Sequence, residues 1–560
     1  MSSLPPSNQS SDHLTDHPTD HPIDQSDSNQ QEDQVKVVGK GLLVITFAKL
    51  WFMVGGALIT FGLPYLFTWM GESKEVAKQM YGQFFDINNT MSILSMVLIT
   101  GGLQAVSKWV SQYADQPHVR NDVLRKLGRL MLALSIIVGG GFILGAPALA
   151  EYRGNSELVN GYRAAGVVLA AYALYVVFIG SLNGQKRFFE QALFDISFST
   201  LKVICVLGAV ALGFGVNGAL GGFALAALFI AVAAAKVVGL GKDEGEPLST
   251  GTSGDQDSIS KENVPTLTLY GFALQVMAYT LIFNLIFKLD VWMVKPEAFT
   301  LFKNLLGDQS GDISQKADAL MGVYGMAVNL SRLPWQATLA VTFVIFPLLS
   351  QATFAQDVEG SRTYIRQTFR YLTLLIGVAA AGLVALPQSV VSILPSQFNE
   401  VASILMWSAP AYFCFSLFNL ANTLLMSAGR ALSAFMIGLI TVGLMVILYS
   451  TWLSAVETPQ ELLIRAAQIS LFGFGFGLAL GWARLHMLFG PPMPLMSLIR
   501  VMIASGAMWG VGQLITSSSP LVLLPSLGGL ALVYFAVLTL LGEWNEQDRS
   551  RISRFFKRAS

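Results

Sequence analysis

Long apolar runs separated by short polar breaks make up most of this chain, and the runs are continuous rather than alternating. A membrane-crossing helix needs about 20 mainly apolar residues, and by that measure about fourteen such helices are expected. They start near Gly41, Phe84, Leu127, Tyr162, Ala192, Val216, Thr266, Leu320, Thr368, Val401, Ala431, Leu462, Leu498 and Leu521. Only helices and closed barrels satisfy every backbone group inside hydrocarbon, and a barrel would show period-two alternation. The expected fold class is therefore an all-α polytopic membrane protein.

Two polar segments divide the pattern. Met1 to about Lys40 is rich in Ser, Asp, Gln, Pro and His and is expected to be a disordered cytoplasmic tail. Its Asp12-His13, Asp16-His17 and Asp20-His21 pairs sit beside Pro18 and Pro22, which rule out a stable helix to present them, so no metal site is expected. Gly241 to Val264 has the Gly, Ser and Asp content of a flexible linker. The stretches on either side echo each other: Ser-Gln follows the second and eighth spans at 111 and 350, and exit glycines stand at 184 and 429. Offsets of roughly 240 suggest an internal repeat of six helices, with a pseudo-two-fold axis along the membrane normal and a cavity between the halves. The expected organisation is a tail (1–40), an N-terminal six-helix half (41–240), a cytoplasmic linker (241–264) and a C-terminal half (265–483). Two extra spans (484–542) and a basic amphipathic cytoplasmic tail (543–560) follow, the latter expected to lie on the anionic leaflet.

Composition agrees with this division. Of 560 residues, 53% are hydrophobic and only 12% charged, with a mean hydropathy of +0.56, whereas soluble domains carry about 25% charged residues. A formal net charge of zero argues against nucleic acid as a partner. The charges are unevenly placed. With the N-terminus inside, the inside loops hold Lys108, Arg120, Arg125, Lys126, Arg129, Lys186, Arg187, Arg362, Arg366, Arg370, Arg430 and Arg484. The outside loops are poorer, with Lys74, Lys78, Arg153, Lys295, Lys303 and Lys316. The positive-inside rule then puts both termini in the cytoplasm. The first apolar run is already of spanning length and follows a polar, acidic segment, so no cleavable signal is expected. Cys205 and Cys414 each fall inside an apolar helix and are expected to be packing residues.

Candidate chemistry comes from polar residues inside the spans. Arg332 lies within the run from Leu320 to Leu349, with Asn329 three residues before it and Gln336 four after, a spacing that puts all three on one helical face. A cation near a bilayer centre costs roughly 2.5–3.5 kcal/mol on insertion scales, so it is expected to face a polar interior. Asp195, Ser199 and Lys202 share a face of the fifth span, and Ser416, Asn419, Asn422 and Thr423 a face of the tenth. Lys49 stands inside the first span, and Asn284, Lys288 and Asp290 in the seventh. Each stripe taken alone is also what interhelical hydrogen bonding would produce.

The segment GVYGMAVNLSRLPWQATLAVTFVIFPLLSQATFAQD resembles the eighth-helix signature of the multidrug/oligosaccharidyl-lipid/polysaccharide exporter superfamily. GGLQAVSKWVSQYAD is similar to the end of its second helix, SLNGQKRFFEQALFDISFSTLKV to its fourth-to-fifth helix turn, and MSAGRALSAF to the turn after its tenth. The resemblance runs from about Gly41 to Gly542 and is greatest to the polysaccharide (O-antigen-type) flippase branch. It implies a flippase moving an undecaprenyl-pyrophosphate-linked oligosaccharide across the bacterial inner membrane by alternating access, for lipopolysaccharide, capsule or exopolysaccharide synthesis. Partners would be the lipid-linked glycan, membrane lipids, a polysaccharide polymerase and glycosyltransferases. On that reading Arg332, Lys202 and Lys49 would hold the phosphates, while Asn329, Gln336, Asn419 and Asn422 would bind hydroxyls. Asp195 and Asp290 are candidates for ion coupling, or simply neutralise neighbouring lysines. No G-x-x-x-x-G-K-[ST] loop occurs, so the energy is expected from an ion gradient, membrane potential or substrate consumption, without a cofactor. The alternatives are a peptidoglycan-precursor lipid flippase, whose usual arginine-rich first helix is missing here, a drug or cation antiporter, and a membrane-embedded glycosyltransferase.

Overall fold

Caps and breaks decide where each apolar run becomes a helix. Ser73 opens the second span by accepting a hydrogen bond from the Val76 N–H at 3.3 Å, and Glu75 adds negative charge to that first turn. Thr458, followed by Pro459 and Glu461, opens the twelfth span in the same way. Gly307 (φ 79°) and Gly490 (φ 80°) end two of the helices in a backbone conformation that side chains resist.

The structure, a computed structural model, describes residues 25–239, 264–307, 312–336, 357–515 and 519–544, and isolated positions at 338, 345, 349, 352, 353 and 548; for 25–43 it describes backbone alone. Among these residues thirteen helices are long and apolar enough to cross a membrane. In the N-terminal group they are α1 (Val44–Trp69), α2 (Lys74–Gln112), α3 (Pro117–Leu144), α4 (Ser156–Gly184), α5 (Phe188–Ala211) and α6 (Gly215–Val238). The C-terminal group begins with α7 (Thr266–Leu306), followed by a further helix, α8 (Ile313–Ser331). It continues with α9 (Val358–Ala385), α10 (Val401–Ser427), α11 (Ala431–Trp452), α12 (Pro459–Phe489), α13 (Leu495–Gly512) and α14 (Pro520–Leu540). Every expected span coincides with one of these helices. The eighth does so through α8, beyond which the chain is described continuously to Gln336 and then only at isolated positions. Among the described residues there is no strand.

Packing follows a pattern that recurs six spans on. Helix α1 packs on α5 and α4 on α6, while α7 packs on α11 and α10 on α12. Helix α4 is the central member of its group: 83% of its most apolar window is buried, against 17% for α1. The two groups meet chiefly where α2 lies against α8 and α7. Helices α2 and α7, of 39 and 41 residues, span about 60 Å each at 1.5 Å per residue, so both extend well past a hydrocarbon core of about 30 Å. Helices α13 and α14 pack on α9, outside this pattern.

Two expectations about the tails change. The helix that contains α1 starts at Gln25 rather than near Gly41, because no proline falls between Pro22 and Pro64 to stop it. The Asp-His pairs and the 241–263 linker lie outside the described residues. The C-terminal tail was expected on the lipid surface, yet its Glu543 and Asp548 are buried in protein. The Arg370 Nε donates to Glu543 Oε1 at 2.6 Å, and Arg370 also pairs with Asp548 at 2.8 Å. Arg500 donates to the other Glu543 oxygen at 3.0 Å, and Ser497 bonds the first at 2.8 Å.

Arg370→Ala would leave Glu543 and Asp548 buried with part of their charge unmatched. The expected loss is about 3 kcal/mol, the low end for breaking a buried pair because Arg500 stays in place. A lowered unfolding midpoint in detergent checks it; an unchanged one would mean that the tail is not anchored.

Candidate functional site

Helix α8 stops at Ser331, Arg332 occupies the turn, and the helix resumes at Leu333. Pro334 explains the interruption: it lacks the N–H that would bond the Leu330 carbonyl, and its ring crowds that carbonyl. Asn329 and Arg332 consequently turn to different neighbours instead of sharing a face. Asn329 donates to the Tyr81 hydroxyl of α2 at 3.2 Å. Arg332 turns into its own group, where its Nη2 donates to the Phe287 carbonyl at 2.8 Å and stands 3.8 Å from Asp290 Oδ1.

Around Arg332 the C-terminal group builds a polar cluster in an aromatic box. The guanidinium lies 4.1 Å from the Phe287 ring centroid and 5.0 Å from that of Tyr412. Tyr324 and Tyr412 both donate to Asp290 Oδ2, at 3.2 and 3.1 Å. Arg332 is only 6% exposed, yet its Nε has no hydrogen-bond partner among the described residues. Lys288 sits 5.2 Å from the Phe287 centroid beside Arg332 and Asp290, with no carboxylate paired to it among the described residues. Among the described residues Arg332 thus keeps its Nε donor unspent, and Lys288 has no paired carboxylate.

A second cluster lies in the N-terminal group. Lys49 on α1 pairs with Asp195 on α5 at 2.9 Å. Lys202, two turns further along α5, is 9% exposed and faces the rings of Phe52 and Phe223 at 4.6 and 5.1 Å, again with no carboxylate or hydrogen bond among the described residues. The hydroxyls of Ser199 and Tyr175 are buried there with no hydrogen-bond partner among the described residues. The expected hydroxyl-binding amides are less well placed. Asn422 is buried and donates to the Phe418 carbonyl of its own helix at 3.1 Å, while Asn419 and Gln336 are half-buried with no side-chain hydrogen bond among the described residues.

One constellation escaped the sequence reading. Asp86 of α2 pairs with Arg153, which follows α3, and accepts from Lys295 of α7 at 2.9 Å. Lys295 also reaches Asp318 of α8 at 2.7 Å. Asn155 and Gln83 donate to Asp318 at 2.6 and 3.1 Å, and the Tyr162 hydroxyl to Asp86 at 3.0 Å. All four charges are at most 1% exposed. Burial opposes the charge on Arg153, but the Asp86 carboxylate overrides it and raises the guanidinium's pKa above its ordinary value. An acid inside the apolar run at Asp86 was the available signal, because intramembrane charge marks function by default.

Residues 48–353, more than half of the chain, match the family described as polysaccharide biosynthesis protein. The chain belongs to the polysaccharide biosynthesis protein family. No curated protein matches this family member significantly. Among solved structures it is similar to the lipid II flippase MurJ in an inward closed conformation, with a TM-score of 0.63 and 12% identity over 89% of this chain and 98% of that one. A multidrug resistance MATE family transporter in its outward-facing conformation gives a TM-score of 0.57 and 15% identity, over 80% and 96% of the two chains. A MOP superfamily transporter from Pyrococcus furiosus gives 0.56 and 15%, over 83% and 96%. At these identities the likeness is one of fold: this polysaccharide biosynthesis protein is a multi-pass membrane protein with the MOP superfamily fold.

Asp290→Ala would leave the buried Arg332 guanidinium without its carboxylate, at an expected cost of about 3–5 kcal/mol. Adding Arg332→Ala should recover part of that loss, with a coupling of about 0.5–3 kcal/mol in a double-mutant cycle of detergent stability. Additive losses would show that the pair is not coupled.

Proposed function

We propose that this protein is a flippase that carries an undecaprenyl-pyrophosphate-linked oligosaccharide from the cytoplasmic to the outer leaflet of a bacterial inner membrane, with both termini cytoplasmic. A surplus of basic groups carries the reading: the two clusters hold four basic side chains, Lys49, Lys202, Lys288 and Arg332, against two carboxylates, Asp195 and Asp290. Burying unmatched cations is costly unless an anion completes the site, and a lipid pyrophosphate brings about two negative charges. Arg332 supplies a planar fork whose Nε has no partner among the described residues, Lys202 and Lys288 supply ammonium groups, and the Ser199 and Tyr175 hydroxyls, also without partners among them, add donors. Half-buried Asn419 and Gln336 would meet sugar hydroxyls, with Asn329 and Asn422 acting through the helices they bond. The prenyl tail stays in lipid while the two six-helix halves rock about the site.

The family match to polysaccharide biosynthesis supports a glycan as cargo. Glycosyltransferases and a polysaccharide polymerase would then act before and after this step. A peptidoglycan-precursor lipid shares the prenyl pyrophosphate and differs only in its sugar. A cation antiporter fits less well, because a site with surplus positive charge repels its cargo. Asp195 and Asp290 already neutralise Lys49 and Arg332, so coupling at either would require a proton or cation to compete with that partner.

The test is leaflet translocation of fluorescent undecaprenyl-pyrophosphate glycans in proteoliposomes under imposed ion and voltage gradients. Arg332→Ala and Lys202→Ala should each slow transport about tenfold or more, the loss expected for a charge-assisted hydrogen bond. Full transport in both variants at normal expression would remove the cationic site. No movement of any such lipid by folded protein would favour the antiporter, and release of free prenyl pyrophosphate a glycosyltransferase.

A further inference from the structure

Apart from the bond from Asn329 to the Tyr81 hydroxyl, hydrogen bonds between the two groups of helices fall at two places among the described residues. One is where the chain enters the second group: Lys126 donates to the Val264 carbonyl at 3.0 Å, and Tyr270 to the Lys126 carbonyl at 3.1 Å. The rest lie at the opposite end of the bundle, on the side that the loop charges assign to the outside. There Tyr65 bonds the Ile393 carbonyl, Gln397 donates to Thr68 at 3.0 Å, and Lys78 pairs with Glu400 at 3.4 Å. Under this rim lies the cluster of Asp86, Arg153, Lys295 and Asp318.

Its charges are divided in a particular way. Asp86 and Arg153 precede the 240–263 segment, Lys295 and Asp318 follow it, and each set is a closed ion pair. The ion pair that crosses is Lys295 with Asp86 at 2.9 Å. The other crossing bonds involve a neutral group: Asn155 and Gln83 to Asp318, and Arg153 to the Trp292 and Val291 carbonyls at 2.7 and 3.4 Å. A buried charge stripped of its partner is strongly unfavourable, so a charged interface that must open needs somewhere for each charge to go. Here neither side would be left with an unpaired charge. Backbone contact accompanies the charges: a Cβ at Gly82 would run into the Asp318 carbonyl, and one at Gly322 into the Lys78 carbonyl.

We infer that these four residues form a latch closing the outer end of the bundle, which opens by resolving one four-charge cluster into two neutral pairs, Asp86 with Arg153 and Lys295 with Asp318. The crossing Lys295–Asp86 contact sets the preference for the closed state, and Gly82 and Gly322 let α2 and α8 come close enough to make it. The transport reading supplies only the purpose of the opening; the latch is a property of the protein without substrate.

Spin labels at Glu72→Cys and Gln315→Cys, exposed positions on either side of the latch, report opening by pulsed electron spin resonance after Cys205 and Cys414 are replaced by alanine. Lys295→Met leaves Asp318 without a cation when closed but hydrated when open, so the long-distance population should rise about tenfold or more. The exchange Asp86→Lys with Lys295→Asp keeps the total charge but gives each separated side two like charges. It should remove the long-distance population even under conditions that open the wild type. Gly322→Leu, with every charge kept, tests closure by backbone contact alone. Distances unchanged from wild type in both charge variants would overturn the latch, as would opening by Gly322→Leu while Lys295→Met stays closed. Failure of glycan transport in the vesicle assay would leave these distances as expected, so the two readings fail separately.

Discussion

Charge buried at a contact between two groups of helices costs least where each side carries its own counter-charge. The contact between the two groups of helices meets this constraint through Lys295, which lies between Asp86 at 2.9 Å and Asp318 at 2.7 Å. Residues 67, 209 and 235 positions apart are drawn together there by Arg153–Asp86, Lys295–Asp86 and Gln83–Asp318 contacts. The close approach of α2 and α8 at Gly82 and Gly322 depends on the same place. A side chain at either glycine would separate the helices, and an unmatched charge would hydrate and hold them apart.

The candidate site follows the opposite logic. Lys202, Lys288 and the Nε of Arg332 remain without carboxylate or hydrogen-bond partners among the described residues, in settings where aromatic rings supply the nearest favourable electrostatics. A cation held against ring faces is stabilised but not neutralised, and it keeps its capacity to bind an anion that arrives and leaves. Paired charge at the interface and basic groups without carboxylates within each group together are what the proposed carriage of an anionic lipid would use.

How much of this was legible in the chain depends on the range of the interaction involved. Hydropathy is a local sum over about 20 residues, so the spans could be read directly, including α8 from the run after Leu320. Helical spacing is also local, but it holds only while the helix continues. Pro334 ends that continuity one residue after Leu333, and Asn329 and Arg332, drawn on one face, bond to different helices. The buried start of the C-terminal tail was hidden for a different reason: Arg370 and Glu543 are 173 positions apart.

The sequence by itself determined a helical membrane protein, the places where its spans begin, and the intramembrane charges Lys49, Asp195, Lys202, Lys288, Asp290 and Arg332. Composition and periodicity act through each segment's own free energy in hydrocarbon, which needs no knowledge of neighbours. Tertiary structure alone decided which charges are spent and which remain free. Lys295 read as a loop cation, and only packing of α7 against α2 and α8 made it a fully buried, doubly paired group. Pairing energy depends on separations of a few ångströms between residues hundreds of positions apart, and no periodicity along the chain encodes those separations.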